Sequence, residues 1–267
     1  MIFCENINFF NDSSWPEIKI KNIIDHLKKI IPNNSIKNQD FLFLNRYQKE
    51  PLFYQQSLIH YLKEPSWIYG LKGTHNDIDK DLDIKKKVTP DLYLYDGFLL
   101  QKAFQLYIKN DELLSLSHLN ILIIDKLLCT FDETDWKHHA RSVICGNPTL
   151  ISTSGIVEGI AKPREYYYRL YSCNENPELL RELKKEYEGK FIDYYDIRIN
   201  DVIEGLVIQS LFYFINSGSP FCENRYCRLF NAHFQEDLIR EHISHKLLCN
   251  PHQTILNTYN DLFMNYY

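Results

Sequence analysis

The sequence predicts an α/β fold of the α+β type, in which helices pack against a mixed β-sheet. Residues 118–125 form a nearly continuous apolar run, which is typical of a strand buried on both faces. Residues 198–216 carry apolar side chains at helical spacing over a face so wide that the helix must lie inside the domain. The chain has 267 residues, 45% of them hydrophobic, which is enough for one large domain or two small ones.

The first 110 residues contain shorter patterns. Weak alternation predicts a strand over residues 1–10. Isoleucines and leucines at helical spacing predict a helix over 20–31, with a start signal at residues 12–16. Further elements are predicted as a strand over 41–44, a helix over 51–62, a strand over 92–95 and a helix over 98–108. We predict that residues 1–110 form an N-terminal α/β part that packs on the same sheet as residues 111–267, so that the chain is one continuous domain.

The apolar strand at 118–125 opens the second part of the chain. A connecting loop is predicted over 126–136, followed by strands over 140–145 and 149–154 and a polar helix over 177–188. The segment 152–168 mixes small residues with a cluster of Lys162, Arg164 and Glu165. This composition suits either the lining of a cleft or an ordered loop beside a strand.

The wide apolar helix begins after Asp196, a residue type that caps helix starts, and ends at Ser217 and Gly218. Another helix is predicted over 231–245, and a last helix closes the chain.

Two short pairs of soft metal ligands follow the wide helix. Cys222 and Cys227 are separated by four residues, Cys249 and His252 by two, and 21 residues lie between the pairs. Two such pairs brought together by the fold are how proteins build a tetrahedral structural zinc site. We therefore predict one structural Zn²⁺ bound by three thiolates and one imidazole, which makes the C-terminal part a zinc-stapled helical subdomain. The alternative is a group of buried cysteines beside a surface histidine.

The composition indicates which binding partners and which cellular location are favoured. The net charge is −5 with mixed signs along the chain, so nucleic acid is an unfavourable partner. No run of 18 apolar residues is present, which argues against a membrane span. Seven cysteines without a secretory signal predict a reducing, cytoplasmic location.

The order of these parts resembles the archaemetzincins, which are metzincin-type zinc peptidases. The resemblance is carried by Cys222-x4-Cys227 and Cys249-x2-His252 after a buried helix, and it covers roughly residues 118–254. His252 stands where that family usually has a cysteine. The segments RINDV (198–202), CRLFNAH (227–233) and AKPREYY (161–167) also resemble an uncharacterised, mainly archaeal family that carries a metallopeptidase label. The resemblance implies a metzincin-like mixed sheet with a peptide-binding cleft at its edge.

The HExxHxxGxxH sequence of that family is replaced in this chain. Counting back from the cysteine pair, Leu211 and Ile215 fall at the first two histidines, Phe212 at the glutamate, Gly218 at the glycine and Phe221 at the third histidine. A catalytic zinc needs about three protein ligands, an open position and a general base. The residues at these positions supply none of them.

Other residues remain as catalytic or metal-binding candidates. His138 and His139 are adjacent on a predicted strand, so their side chains point to opposite faces and do not bind one ion together. His242 and His245 share a helical face in the predicted helix, where a surface pair is favoured over a metal pair. The full set of candidates is His118, His138, His139, Glu158, Glu165 and His233.

Three functions are compatible with these observations. The first is a zinc-stabilised, catalytically inactive domain that binds a peptide or protein, with the sheet edge near 140–154 adding a peptide strand. The second is an active metal-dependent hydrolase that recruits its ligands from the candidates above. The third is a different enzyme or a nucleic-acid-associated zinc protein, against which the acidic balance counts.

Overall fold

Helices pack on two mixed sheets in the computed structural model of the chain, and the predicted α+β class is confirmed. The structure describes residues 2–39, 58–61, 93–108, 113–174 and 176–266. No helix within these ranges is long and apolar enough to cross a membrane.

The described strands and helices follow in chain order. The strands are β1 (Asn6–Asn11), β2 (Ser35–Gln39), β3 (Leu58–Tyr61), β4 (Tyr93–Asp96), β5 (His118–Ile124), β6 (Leu127–Asp132), β7 (Lys137–Arg141), β8 (Val143–Ile144) and β9 (Thr149–Ser152). The helices are α1 (Ile20–Ile30), α2 (Gly97–Ile108), α3 (Thr153–Glu158), α4 (Arg164–Ser172), α5 (Pro177–Glu186), α6 (Ile199–Asn216), α7 (Gln235–Ile239), a π-helical turn (Arg240–His245) and α8 (Asn250–Tyr266).

The first sheet has the order β2-β1-β5-β9-β8. Its first four strands are parallel, and β8 pairs antiparallel with β9. Ile121 and Ile123 of β5 are completely buried, and so are their neighbours Leu122 and Ile124. Side chains on both faces of β5 therefore lie in the core, as the continuous apolar run predicts. Strands from the first and the second part of the chain pair directly, because β1 lies between β2 and β5.

The second sheet has the order β3-β4-β6-β7, with β4 and β6 parallel and the other pairs antiparallel. The prediction of a loop over 126–136 was wrong, because Leu127, Leu128 and Cys129 are buried in strand β6. Strand β7 continues past Ser142 into β8. One stretch of chain thus belongs to both sheets and forms the wall of a cleft.

Three predictions in the first part of the chain have different outcomes. The predicted helix over 51–62 is wrong at residues 58–61, which form β3, while the predicted strand over 41–44 lies outside the described residues. The predicted helix start at 12–16 is also wrong, because α1 begins at Ile20. Ser13 and Ser14 instead donate hydrogen bonds to the carboxylate of Asp125, after strand β5. The polar residues there join two loops rather than cap a helix.

Ser152 ends β9 two residues before the predicted end of that strand. Its hydroxyl oxygen accepts a hydrogen bond from the backbone N–H of Gly155 at 2.7 Å, so it caps α3. Serine favours this cap position because its side chain satisfies an N–H group that the first helical turn leaves free.

Helix α6 is the central helix, and its prediction is confirmed within one residue at the start. Its buried residues extend from Ile199 to Ile215 on nearly all sides. The carboxylate of Asp196 accepts a hydrogen bond from the backbone N–H of Arg198 at the helix start. At the other end Ser217, rather than Gly218, adopts the left-handed conformation, with φ of 53°.

The region after α6 departs from the predicted helix over 231–245. Helix α7 begins only at Gln235, because residues 231–234 run alongside the chain at Ala161. The backbone N–H of Ala161 donates to the carbonyl of His233, and the N–H of Gln235 donates to the carbonyl of Ala161. This pairing holds His233 at the cleft described below.

Helix α3 packs closely against the backbone at Arg141 and Ser142, between β7 and β8, and this contact requires a glycine. A β-carbon on Gly155 would lie 2.0 Å from the backbone oxygen of Arg141, which is too close for any side chain. We expect Gly155→Ala to lower the free energy of unfolding by about 3 kcal/mol, because backbone must move to accept the methyl group. Urea unfolding measures this change. Gly218→Ala is the matched control, since its nearest neighbour would be 3.9 Å away, and its expected effect is within about 0.5 kcal/mol. Equal effects of the two substitutions would contradict the packing argument.

Candidate metal centre and adjoining cleft

Four potential metal ligands converge after α6: Cys222, Cys227, Cys249 and His252. One ligand atom from each lies within 4.8 Å of those of the other three. Cys222 Sγ is 3.8 Å from Cys249 Sγ, and Cys227 Sγ is 3.7 Å from His252 Nδ1. Cys249 Sγ is closer to His252 Nδ1, at 3.0 Å. A tetrahedral zinc ion with Zn–S bonds of about 2.3 Å separates its ligand atoms by about 3.6–3.8 Å. The donor set and most of the spacing therefore fit a closed four-ligand site.

Backbone N–H groups surround two of the sulfur atoms. The N–H of Asn224 donates to Cys222 Sγ at 3.4 Å, and the N–H groups of Leu229 and Cys249 donate to Cys227 Sγ at 3.5 and 3.4 Å. Hydrogen bonds of this kind favour the thiolate form of cysteine, which is the form that binds a metal.

The two ligand pairs lie on different kinds of local structure. Cys222 and Cys227 lie in the loop after α6, where the N–H of Cys222 donates to the carbonyl of Leu229 at 2.9 Å. Cys249 directly precedes α8, and its carbonyl accepts the N–H of Gln253 at 2.8 Å. His252 lies in the first turn of that helix. A tight loop and a helix start thus present the four ligands to one point.

Burial and hydrogen bonding shift the pKa values of these groups in different directions. Burial raises the pKa of the Cys227 thiol to about 12, so a bound cation is needed to keep this sulfur as a thiolate at neutral pH. Burial also acts to raise the pKa of Cys249, but the N–H of His252 and the neighbouring thiols outweigh it and lower that pKa. Burial lowers the pKa of His252, which favours the neutral imidazole that binds metals.

Helix α6 packs directly against this centre. The ring of Phe212 meets the ring of His252 edge to face, with centroids 5.6 Å apart. Phe212 and Leu211 are each 1% exposed, and Ile215 is completely buried. The residues at the positions that the resemblance aligns with the HExxH pattern therefore belong to the hydrophobic core, and Phe212 packs on a potential metal ligand.

A cleft of about 480 Å³ runs along β8. Arg141 and His233 are among its lining residues, and no aspartate or glutamate of the described part of the chain lines it. Phe98 and Phe221 are 58% and 41% exposed at its walls. The lining consists of residues 140–145, 159–160, 219–221 and 231–233 together with Phe98, Thr130 and Tyr213.

The strand that forms the wall of this cleft has backbone groups that point away from its own sheet. β8 is the edge of its sheet in the described part of the chain. The carbonyl of Ser142 accepts the N–H of Ser152 at 2.8 Å, and Val143 lies opposite Ile151. Because hydrogen-bonded and non-hydrogen-bonded pairs alternate in an antiparallel ladder, the N–H and carbonyl of Val143 point away from β9.

Residues 4–259 match a family described as a probable metallopeptidase family (DUF6775). The chain belongs to this family. The match includes the Cys222/Cys227/Cys249/His252 centre, α6 and the cleft along β8. Comparison with curated proteins and with solved structures found no match.

Because the chain belongs to a metallopeptidase family, we asked whether the candidate carboxylates Glu158 and Glu165 lie near the cleft. Glu158 ends α3, where it receives a hydrogen bond from Tyr194 and lies near Lys162. Burial opposes the charge of Lys162, but Glu158 outweighs it and raises the pKa of this 4% exposed lysine. Arg164 and Glu165 are exposed in the first turn of α4. The Lys162/Arg164/Glu165 cluster therefore divides between interior and surface, and none of it lines the cleft along β8.

The adjacent histidines on β7 have separate surroundings. His138 Nδ1 is 3.7 Å from Cys129 Sγ, and its ring packs on Phe131. His139 Nε2 is 3.0 Å from a carboxylate oxygen of Asp135. The two rings thus have different partners, as their places on opposite faces of a strand predict.

A second group of potential ligands lies in the β6–β7 hairpin. It consists of Asp132, Asp135 and His139, with ligand atoms within 4.8 Å of one another. The carboxylate of Asp132 already accepts hydrogen bonds from the N–H and hydroxyl of Thr134. None of the three ligand residues lines the cleft along β8.

The remaining histidines have other environments. His118 Nε2 lies 2.8 Å from Asn6 Nδ2 at the start of β5. His233 is exposed and lines the cleft. The expectation of a surface pair was wrong for His242, which is 1% exposed and packs against Gly205 in the π-helical turn. His245 instead is exposed and packs on the ring of Tyr226.

Sequence reasoning missed a buried ion pair beside the metal centre. Arg228 Nη1 is 2.9 Å from Glu204 Oε1, and these side chains are 4% and 6% exposed. The other oxygen of Glu204 lies 2.9 Å from His26 Nδ1 of α1. Two features of the sequence could have indicated this ion pair. One is a glutamate within the apolar stripe of a buried helix, and the other is an arginine next to Cys227.

Proposed function

We propose that this protein is a zinc-stabilised member of the metallopeptidase family that lacks hydrolytic activity and binds an extended segment of a peptide or protein along β8. It would descend from an archaemetzincin-like peptidase. The observation that carries the proposal is the burial of Leu211, Phe212 and Ile215 in the core. A hydrolytic centre on this helix needs ligands and a base at those places, and hydrocarbon side chains supply neither.

Zinc is the metal that this donor set favours. Three thiolates and one imidazole in tetrahedral spacing are typical of structural zinc sites. All four coordination positions are filled by protein ligands in this arrangement, which leaves no position for a reacting water. One zinc ion per chain would therefore hold the loop after α6 onto the start of α8.

Binding of an extended segment is supported by the edge of β8 and the cleft beside it. The N–H and carbonyl of Val143 point away from β9 and have no backbone partner in the described part of the chain, which is the requirement for adding a strand to a sheet. Phe98 and Phe221 supply apolar surface to side chains of such a segment. A protein or peptide therefore fits this cleft better than nucleic acid, which the acidic net charge disfavours. The seven free cysteines suit a reducing, cytoplasmic location.

The alternative is a metal-dependent hydrolase with recruited ligands. The group of Asp132, Asp135 and His139 is the observation in its favour, because it offers three ligand atoms. Its position away from the lining of the cleft separates it from the surface that would bind a peptide. Glu158 and Glu165 belong neither to this group nor to the group of Cys222, Cys227, Cys249 and His252.

Binding and hydrolysis are tested on the full chain loaded with zinc. We expect a fluorescein-labelled peptide, selected on an array of random sequences, to bind and to remain intact by mass spectrometry. Val143→Pro is expected to weaken binding at least about tenfold, because it removes the outward N–H without removing a hydrogen bond to β9. Fluorescence anisotropy measures the affinity.

Val143→Ala is the matched control, because it shortens the same side chain and keeps the N–H group. It should alter the affinity by less than about threefold, which is under 1 kcal/mol. Equal losses in the two variants would show that β8 does not pair with the peptide. Cleavage of peptides that stops with a chelator, while the protein stays folded, would establish the hydrolase alternative.

A further inference from the structure

The cleft along β8 contains an arginine whose charge is not neutralised by a carboxylate in the lining. Arg141 lies two residues before Val143, on the same wall of the cleft. It forms no ion pair among the described residues, and no aspartate or glutamate of that part of the chain lines the cleft. A positive charge is therefore placed beside the strand edge that would pair with a bound peptide.

One hydrogen bond orders the side chain of this arginine. Arg141 Nε donates to Thr130 Oγ1 at 2.8 Å, and Thr130 lines the same cleft. The side chain is partly exposed, and its Nη1 and Nη2 atoms have no hydrogen-bond partner in the described part of the chain and are not buried. These two nitrogens can donate to a carboxylate of a ligand. Because the guanidinium is already held at Nε, binding costs less side-chain entropy.

The nearest competing carboxylate does not occupy this position. Hydrogen bonds from the hydroxyl and the backbone N–H of Thr134 are the main causes that lower the pKa of Asp132, and the charge of Arg141 makes a smaller contribution. Asp132 does not line the cleft. It therefore weakens the field of Arg141 without taking the place of a ligand carboxylate.

His233 adds a second group that can bind a carboxylate. It is exposed, it lines the cleft, and the N–H of Ala161 donates to its carbonyl at 3.1 Å. Two residues before Ala161, Gly159 packs on the residue that precedes Arg141, since a β-carbon on Gly159 would lie 3.2 Å from Ala140 Cβ. This short stretch thus connects the strand of Arg141 with His233. An imidazole donates a hydrogen bond to a carboxylate and adds positive charge when it is protonated.

We infer that the extended segment bound along β8 carries an acidic side chain, aspartate or glutamate, which binds Arg141 with His233 as a second donor. This inference rests on the function proposed above, because it names the chemistry of the segment that pairs with Val143. Residues two apart on a strand lie on one face, about 6–7 Å from each other. An acidic residue about two positions from the one opposite Val143 is therefore within reach of the guanidinium.

The net charge of the chain does not oppose this binding strongly. Exposed charges are screened over about 8 Å at physiological ionic strength, so the groups in the cleft outweigh the overall charge of −5. The wall of the cleft extends over residues 140–145, on both sides of Val143. This length suits a segment that passes through the cleft and presents an internal side chain to Arg141.

The test uses the full chain loaded with zinc and an array of random peptides. All peptides are acetylated and amidated at their ends, so that only side chains carry carboxylates. We expect the bound peptides to be enriched in aspartate and glutamate. When the acidic residue of a selected, fluorescein-labelled peptide is replaced by its amide, binding should weaken at least about fivefold in fluorescence anisotropy, because the charge-assisted hydrogen bonds are lost.

Arg141→Gln and Arg164→Gln form a matched pair, because each removes one arginine charge and only Arg141 lines the cleft. Arg141→Gln is expected to weaken binding of the acidic peptide at least about fivefold and of its amide counterpart less than about twofold. Arg164→Gln should change either affinity less than about twofold. Circular dichroism checks that both variants are folded, and the comparison of the two peptides on the unmodified protein requires no variant.

The outcomes separate this inference from the proposed function. Equal affinities of the acidic and the amide peptide, with Val143→Pro still weakening both, would overturn the acidic side chain and retain the pairing at β8. Equal losses of the two peptides in Arg141→Gln would also overturn it. Binding that requires a free C-terminal carboxylate would overturn it in favour of the chain terminus. If no peptide binds, the proposed function fails, and this inference fails with it.

Discussion

The Cys227→Ser protein is expected to lose the zinc ion that we propose for this site and to unfold from α6 onward. Cys227 is completely buried, its sulfur lies 3.7 Å from His252 Nδ1, and it accepts two backbone hydrogen bonds. Structural zinc sites contribute about 10 kcal/mol or more to folding, which is comparable with the whole stability of a domain, about 5–15 kcal/mol. Elemental analysis of zinc per chain and thermal unfolding by circular dichroism measure the two effects.

Cys173→Ser is the matched control for this substitution. Cys173 is also buried, but it packs with Leu180 and Tyr187 in a separate apolar cluster. It should retain one zinc per chain and lose only the small amount of stability expected for a polar group in an apolar contact. Full retention of zinc and stability by Cys227→Ser would reject the metal centre.

The zinc content of the unmodified protein also distinguishes the two candidate functions. One ion that leaves only when the protein unfolds agrees with a structural site. Two ions, one of which a chelator removes from the folded protein, would reject the inactive-domain proposal and point to a catalytic metal. The β6–β7 hairpin, with Asp132, Asp135 and His139, would then be the first place to substitute.

Glu204→Gln is expected to lower the free energy of unfolding by about 3–5 kcal/mol, because it leaves the buried charge of Arg228 without its anion. Glu204 contacts both Arg228 and His26, so it joins α1 and α6 to the residue that follows Cys227. Urea unfolding at neutral pH measures the loss. Zinc content measured on the same samples shows whether the metal is still bound before unfolding.

Glu186→Gln is the control, because it breaks an ion pair with Arg169 that is exposed at the surface between α4 and α5. The side chains of that pair are 43% and 52% exposed, and water compensates for the lost contact. Its expected effect is about 0–1 kcal/mol. If Glu204→Gln lowers the free energy of unfolding as little as Glu186→Gln does, Arg228 does not need its ion-pair partner for stability.

Local patterns were sufficient where one physical effect dominated. The apolar run of β5 and the wide stripe of α6 are confirmed, because most residues of both elements are apolar and buried, with Asn120 and Glu204 among the few buried polar exceptions. Strand β6 was missed because polar Asp125 and Lys126 separate it from β5. The start of α1 was misplaced because Ser13 and Ser14 hydrogen-bond to Asp125, which is distant in sequence.

The sequence by itself determined the α+β class, the central helix and the resemblance to a metallopeptidase family, because these depend on hydrophobic periodicity and on residue spacing. Only the tertiary structure decided which other groups meet. The spacing had already predicted that Cys222, Cys227, Cys249 and His252 meet, but it did not place Phe212 against that histidine or pair Glu204 with Arg228. The reason is that contacts between distant segments depend on how helices and strands pack, which no local spacing specifies.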